Sequence, residues 1–437
     1  MNQSGPARYQ GRKHAKERHR LNLPTPNRLL AQSSRRAFSR DRRTALVVRV
    51  AASLALGVAA SQAHAEDVFN INVYANERYD SNLFRLPDGV QPFGNGRRSA
   101  TTLSTGIGLQ IDKAYGQQQF NLSTSLSHDR YSPYDTLDTT TRSYNAAWGW
   151  TLTPSLTGNL SISRTEAPNN FADIGVQTGD NKRRTEERRF DVNWRPGAAL
   201  HPRVSVLQDE DKSDLARFDR QNSKTTSIES ALVYEFRSGN SADLYFRRGR
   251  GNYLDINADP AAEADAQFDE RETGISAHWA WTGASTLDGR FGYLDREHRT
   301  FASRNFSGPV GNLSFTYAFT GKTMVQVAAT RSLSSIQSLA SSYSADETVS
   351  VTPMYSATGK INIRPSYAVT RRTFRGALVD AGPALRLISR DASLTIDYAV
   401  LRALNVSFSL VHSNRSANYN EFQYSDRAAS VSAAFRF

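Results

Sequence analysis

Hydrolytic chemistry in this chain would have to start from a histidine beside a carboxylate, hydroxyl or amide, and two places offer one. His128 adjoins Asp129, and His412 is followed by Ser413 and Asn414. Such groups supply a general base with a nucleophile or an activated water when they share one face. Past position 65 the five histidines, at 128, 201, 278, 298 and 412, stand singly, with none of the spacings that hold a metal. The chain has no cysteine, which removes thiolate catalysis, disulfides and cysteine-ligated zinc. It also lacks a glycine-rich phosphate loop ending in Gly-Lys-Ser/Thr. Adjacent pairs of this kind arise by chance in a Ser- and Asp-rich chain. The sequence therefore points away from an enzyme and asks for no cofactor or metal.

The other chemistry-bearing side chains recur at even spacing between apolar ones. Glu229, Glu235 and Arg237 form one set, Asp243, Tyr245 and Arg247 a second, and Asp288, Arg290 and Arg296 a third. Asn362 with Arg364, and Asp391 with Asp397, continue the pattern. Side chains at every second position share one face of a β-strand. Their alternation with apolar groups predicts strands with a polar side and an apolar side.

Clear apolar faces are Leu103, Thr105, Ile107, Leu109 and Ile111, then Phe120, Leu122, Thr124 and Leu126, then Tyr144, Ala146, Trp148, Trp150 and Leu152. Later ones run over Ile228 to Phe236, Ile275 to Trp281, Leu313 to Phe319, Thr323 to Leu333, Ile361 to Val369, Ala392 to Tyr398 and Leu404 to His412. Each approaches the roughly ten residues that a tilted strand needs to cross a bilayer. Counting weaker segments gives about eighteen strands, with sixteen as the alternative; both are even numbers, as bacterial single-chain barrels have. The chain ends on such a strand, with Ala429, Val431, Ala433, Phe435 and Phe437 on one face. Phe435 and Phe437 read as the terminal aromatic signal taken up by the barrel assembly machinery.

Connections alternate as strictly as the side chains. Short joints fall at Asp112 to Gly116, Thr153-Pro154-Ser155, Arg195 to Pro202, Ser238-Gly239-Asn240, Thr282-Gly283-Ala284, Thr320-Gly321, Thr358-Gly359 and Leu401-Arg402. Between them lie nine longer polar stretches, at 77–98, 131–141, 166–185, 210–224, 251–269, 298–307, 335–345, 372–388 and 414–425. Tight turns on one side and long loops on the other are the habit of outer-membrane barrels. The fold class is thus all-β, an antiparallel up-and-down transmembrane barrel over residues 66–437. Trp148, Trp150, Trp279, Trp281, Tyr317, Phe319, Tyr398 and Phe437 sit at or near strand ends, where aromatic rings meet lipid headgroups.

Charge is distributed unevenly. The chain carries a net +12, yet residues 1–65 hold thirteen Lys and Arg against two acids, leaving 41 bases and 40 acids beyond. The balanced remainder gives no footing for nucleic acid. The basic block ends in Arg35, Arg36, Arg40, Arg42 and Arg43, before an apolar stretch from Thr44 to Ala60 and the triplet Ala63-His64-Ala65. This predicts a secretory signal peptide cleaved after Ala65, with Ala63 and Ala65 as the small residues of the site. The length of the basic block places the true start downstream of Met1, and Arg49 interrupts the apolar core. The run Lys182 to Arg189 reads as a solvated loop-to-strand junction, with lipopolysaccharide phosphate as its alternative partner.

Near the start of the barrel stands Asn76-Glu77-Arg78-Tyr79-Asp80-Ser81-Asn82-Leu83-Phe84-Arg85-Leu86-Pro87-Asp88. Asp80, Ser81 and Asn82 are turn and capping types, and Pro87-Asp88-Gly89 is a turn signal, so the segment can simply close the first strand. The alternative makes Asp80, Asn82, Phe84 and Arg85 pore residues, with Phe84 stacking on a pyranose ring. A first strand running into this segment resembles the exosortase B-associated exopolysaccharide biosynthesis outer-membrane proteins, the EpsL-type transporters, and the resemblance extends over residues 66–437. It implies an outer-membrane barrel serving as conduit or accessory in exopolysaccharide export, working with export proteins and sitting in lipid and lipopolysaccharide. The candidate pore or sugar contacts are Asp80, Asn82, Phe84, Arg85, Glu235, Asp243, Tyr245, Arg247, Arg290, Arg364 and Asp397. A general diffusion porin and a structural or adhesive surface barrel are the competing readings.

Overall fold

A computed structural model of the chain describes residues 69–437 apart from 93–95, 175–178, 180, 198, 257–264, 337, 380 and 381. The leader, the expected cleavage site at Ala63 and Ala65, and the start of the chain lie outside the described residues.

Period-two alternation produces eighteen antiparallel strands. In chain order the first six are β1 (Phe69–Asp80), β2 (Ala100–Tyr115), β3 (Gln118–Ser132), β4 (Thr139–Thr153), β5 (Leu156–Pro168) and β6 (Lys182–Trp194). Next come β7 (Leu200–Ser213), β8 (Ser223–Glu235), β9 (Ser241–Tyr253), β10 (Gln267–Thr282), β11 (Ser285–His298) and β12 (Phe306–Thr320). The ring finishes with β13 (Thr323–Ser335), β14 (Tyr343–Ser356), β15 (Ile361–Arg375), β16 (Arg386–Ala399), β17 (Leu404–Ala417) and β18 (Tyr424–Arg436). Every strand pairs with its sequence neighbours, and β1 pairs with β18 from Asn72↔Arg436 to Asp80↔Ala428. The sheet closes on itself into a ring.

The outside is apolar and the inside polar, the reverse of a soluble protein. Along β8, Ser227, Glu229, Ala231 and Val233 are buried while Ile228, Leu232 and Tyr234 are exposed. Phe291 is 63%, Ile275 59% and Val349 57% exposed. Leaving that much hydrocarbon in water would cost on the order of 25 cal/mol for each Å², so the exposed band has to lie in lipid. The aromatic residues anticipated at strand ends gather at one rim, the rim of the short turns. Trp148, Trp281, Phe319 and Tyr398 all lie in the last six residues of descending strands. At the other rim, outward positions carry ion pairs such as Arg164 with Glu166, Arg188 with Glu186, and Arg250 with Asp269.

All nine long connections meet at that second rim. Several turns at the first are two-residue hairpins; between β2 and β3 Gly116 has φ +58°, the left-handed value that a primed turn demands. The strands run 12 to 16 residues, longer than the apolar segments foretold. Their ends carry charged residues, which hydropathy reads as loop. The basic run Lys182 to Arg189 accordingly lies within β6, where Arg183 and Arg189 take the inward register and Arg184 and Arg188 the outward one. His201 and Pro202, anticipated in a turn, belong to β7. The purified protein should show a strand-dominated far-ultraviolet circular dichroism spectrum and a gel mobility that shifts on heating; a helix-dominated spectrum would refute the architecture.

Candidate functional site

Four of the long loops fold together over the ring. L1 (81–99) follows β1, L2 (133–138) follows β3, L3 (169–181) follows β5 and L4 (214–222) follows β7. Leu83, Phe84 and Leu86 of L1 pack with Leu137 of L2, Phe171 of L3 and Leu215 of L4, flanked by Tyr131, Tyr134 and Phe218. Phe84 is 2% exposed, with its ring edge-to-face on Tyr134 at 4.9 Å and on Phe171 at 5.3 Å. Both flanks of that ring are occupied. Stacking of Phe84 on a pyranose is therefore corrected: the residue is the core of the loop cluster.

Its neighbours in the motif form a clamp across the barrel's closing seam. The Asn82 N–H donates to Asp80 and to Asp426 of β18, each at 3.0 Å. The Asn82 amide donates to the carbonyls of Leu86 at 2.8 Å and Ser425 at 3.0 Å, and accepts from the Leu86 N–H at 3.0 Å. Arg85, with φ +56°, donates to Asp80 at 2.7 Å and lies 3.2 Å from Asp426. Burial works against the Arg85 charge, but the bond and attraction of Asp80, joined by Asp426, hold its pKa above the ordinary guanidinium value. Asp80, Asn82 and Arg85 are thus spent on each other and on the seam, so the turn and capping reading of the motif is the one the geometry supports. Asn82→Ala strands the Leu86 N–H and two carbonyls. It should lower stability by about 2–3 kcal/mol, seen as a lower temperature for the gel-mobility shift; an unchanged midpoint would remove the clamp.

L3 does more than join the cluster. It contains one helical turn, α1 (Phe171–Ile174). Asp173 of α1 meets Arg372 of β15 at 3.2 Å and Arg415 of β17 at 3.3 Å, and Arg415 also donates to the Ala172 carbonyl at 2.8 Å. Ring order sets β15 diametrically opposite β6, the strand that follows L3. L3 therefore carries α1 from β5 out over the mouth, where that single turn is held by Phe171 in the loop cluster and by Asp173 on the opposite wall.

Below the mouth, inward side chains of β6 to β11 form a continuous charged belt. Glu229 of β8, 1% exposed, accepts from Arg290 of β11 at 2.8 Å and lies 3.5 Å from Arg203 of β7. Arg203 donates to Asp243 of β9 at 2.7 Å. Arg290 also reaches Glu272 of β10 at 3.3 Å, and Glu272 accepts from the Tyr245 hydroxyl at 2.6 Å and from Arg247. The Arg290 guanidinium lies 3.6 Å from the centre of the Tyr245 ring, a cation–π contact. On β6, Arg189 donates to Asp191 at 2.8 Å. Tyr245 can lie flat against the wall because Gly274 and Gly292 bare the backbone beneath it; a Cβ on either would collide with its hydroxyl. Acids and bases alternate here, so the belt is polar without being a sink for ions of one sign.

Of the residues anticipated at a pore, Asp243, Tyr245, Arg247 and Arg290 come together in this belt. Arg364 and Asp397 pair at 2.8 Å on β15 and β16, with Ser407 donating to Asp397 at 2.7 Å, as a separate patch on another part of the wall. Glu235 sits at the short-turn rim, 2.7 Å from Arg195 and 3.3 Å from His201, away from the belt. Phe435 lies in the outward register opposite Val73, and the Phe437 N–H donates to the Ile71 carbonyl at 2.8 Å. The hydrolytic pairings do not form. His128 faces outward beside Thr140 while Asp129 takes the opposite register, and the same alternation separates His412 from Ser413.

Sequence reading did not single out Asp191, Arg203, Glu272, Asp173, Arg372 or Arg415. For Glu272 a signal exists: a charged residue on the inward face of an alternating strand, two positions before a glycine. For Asp173 there is none, since its partners are 199 and 242 positions away.

No family model matches the chain, and no curated protein sequence does. Among solved structures it is similar to the outer membrane protein OpdK of Pseudomonas aeruginosa, with TM-score 0.46, 12% identity, and coverage of 84% of this chain and 99% of that one. Acinetobacter baumannii OccAB3 gives TM-score 0.46 at 9% identity, covering 84% and 99%. The siderophore receptor PirA of P. aeruginosa gives 0.40 at 10%, covering 86% and 81%. Likenesses at these TM-scores decide neither fold nor cargo; the fold is read from the closed ladder itself.

Proposed function

We propose that this chain is an outer-membrane barrel that passes small polar solutes through its lumen, with the long loops outside and the short turns in the periplasm. A lipid-facing apolar band around a hydrated, charged interior supports the membrane assignment. Barrels of 16 to 18 strands leave an aqueous channel. The observation that carries the size limit is α1 held over the mouth, with Phe171 anchored in the loop cluster and Asp173 on Arg372 and Arg415. A turn so held admits a small solute around it and obstructs a bulky chain. Selection would then come from the belt, where a solute that exchanges hydrogen bonds with Arg247, Arg290, Glu229 and Glu272 moves without losing all its hydration partners.

Export of exopolysaccharide is the second reading. It rests on the resemblance of the Asn76 to Asp88 segment, whose residues are committed to the seam, and it requires L3 to swing aside. Planar-bilayer recording on purified protein tests the first reading: steady conductance in salt, reduced by added small sugars or amino acids. Absence of conductance would leave a plugged barrel. Polymer trapped in the periplasm of a strain lacking the gene, restored by the intact gene, would favour the second.

A further inference from the structure

Among the described residues the ladder lapses in three stretches of the wall: between β4 and β5 above Tyr144↔Arg164, over three residues between β14 and β15, and along the upper part of β12 and β13. β12 begins at Phe306 and β13 continues to Ser335, yet among the described residues their ladder runs only from Gly311↔Arg331 down to Thr320↔Thr323. Phe306 to Val310 remain paired with β11 but not with β13, an open seam of five residues, about 17 Å at the rise of an antiparallel strand. Pro309 lies within it and has no N–H to give to a neighbour. The seam begins at the level of Phe291, which opposes Gly311, and so at the outer edge of the apolar band. The seam's lower end, at Val310, borders the hydrocarbon, which does not tolerate unpaired backbone groups; there the gap needs an occupant or a latch.

Side chains supply the latch. Arg331 donates through Nε to the Pro309 carbonyl at 2.9 Å, spanning the seam where the ladder stops, and its Nη1 pairs with Glu347 of β14. Above, Phe306 touches Tyr343 of β14 at 5.4 Å and Arg296 of β11 donates to Ser335 of β13 at 2.6 Å, each reaching past a strand. These are rotatable contacts standing in place of a ladder.

A cavity lies on each side of the seam. The outer one, about 580 Å³, is lined by lipid-facing Ile275, Leu287, Phe291, Leu313, Ala329 and Val349. The inner one, about 390 Å³, is lined by Arg247, Glu270, Glu272, Arg290 and Arg296. Val310, Gly311, Asn312, Thr330 and Arg331 line both. An apolar groove and a charged pocket meeting through one gap match a molecule with a hydrocarbon tail and a polar head.

We propose that the β12–β13 seam is a lateral port through which an amphiphile passes between the lumen and the outer leaflet, tail in the outer groove and head in the inner cavity, with Arg331 as the latch. This rests on the barrel spanning the membrane, as proposed above, and adds a side exit to the axial path.

The native chain has no cysteine, so single cysteines can carry a bimane fluorophore in the full-length protein reconstituted in vesicles, with a brominated lysophospholipid added as quencher. Ser332→Cys reports the inner cavity behind the seam, Ser393→Cys the inward register of β16 on another wall, and Leu313→Cys the lipid face. Heat-shifted gel mobility confirms that each variant is folded. The port predicts quenching at Leu313 and Ser332, several-fold weaker quenching at Ser393, and stronger quenching at Ser332 when Arg331→Ala is added. Quenching at Leu313 with Ser332 no different from Ser393 overturns the port while leaving the barrel in the membrane. No quenching at Leu313 overturns the membrane reading, and the port with it.

Discussion

Asp173→Ala should raise single-channel conductance several-fold while leaving the barrel folded. Asp173 is the far anchor of α1, held by two guanidiniums at 3.2 and 3.3 Å. Arg415 is 6% exposed, so its charge-assisted bonds are partly shielded from water and of the stronger kind, about 1.5–3 kcal/mol. Removing the carboxylate leaves the Ala172 carbonyl as the remaining hold on that wall. The loop would pivot on Phe171, and the mouth would widen. Arg372 and Arg415 would at the same time face the open mouth without their shared acid, drawing in anions. Combining Asp173→Ala with Phe171→Ala should release both contacts of α1 and exceed either change alone. The ladder contains neither residue, so the heat-shifted gel mobility should persist. Conductance equal to that of the native protein in both variants would show that L3 does not limit passage.

The second large effect is expected in the belt. Glu229→Gln with Glu272→Gln keeps size and shape and removes two negative charges, leaving Arg203, Arg247 and Arg290 facing the lumen with Asp243, Asp209 and Glu270 as the nearby acids that remain. The reversal potential under a potassium chloride gradient should move strongly toward anion selectivity. The shift should shrink at high salt, where the screening length falls to about 3 Å at 1 M. Loss of stability is expected as well, since Arg290 loses both acids that it pairs with and keeps the Tyr245 ring. The conservative amides retain acceptors for the Tyr245 hydroxyl and Arg247, which limits that loss. A reversal potential that does not move would place the belt off the conducting path.

Much of the barrel was readable residue by residue. Leu103 to Ile111 on β2, Phe120 to Leu126 on β3 and Tyr144 to Leu152 on β4 take the outward register assigned to them. The eight joints and nine loops fall where Gly, Pro and polar stretches placed them. Strand ends were misjudged wherever charge continues the alternation, as in β6 from Lys182, because a charged residue at a rim or in a lumen is compatible with a strand and looks like loop to hydropathy. Asp243, Tyr245, Arg247 and Arg290 were recognisable as inward polar residues; that they converge on Glu272 was not. Phe84 shows the opposite failure. Its aromatic type beside Asp and Asn suggested sugar binding, and its surroundings from L2 and L3 make it core.

The sequence by itself determined the all-β class, a count of about eighteen strands with sixteen left open, which face of the clear strands meets lipid, and which connections are long. Those properties depend on periods of two residues and on turns of a few, and neighbouring strands pair in chain order, so local pattern suffices. Tertiary structure alone decided that Asn82 clamps Asp426, 344 positions away, that α1 reaches Arg415 across the mouth, and that the ladder between β12 and β13 stops at Gly311↔Arg331. Loop conformation, ring closure and a break in pairing depend on which distant groups satisfy one another's hydrogen bonds and charges. That choice is made among groups brought together only when the ring closes, and no window of the sequence contains both partners.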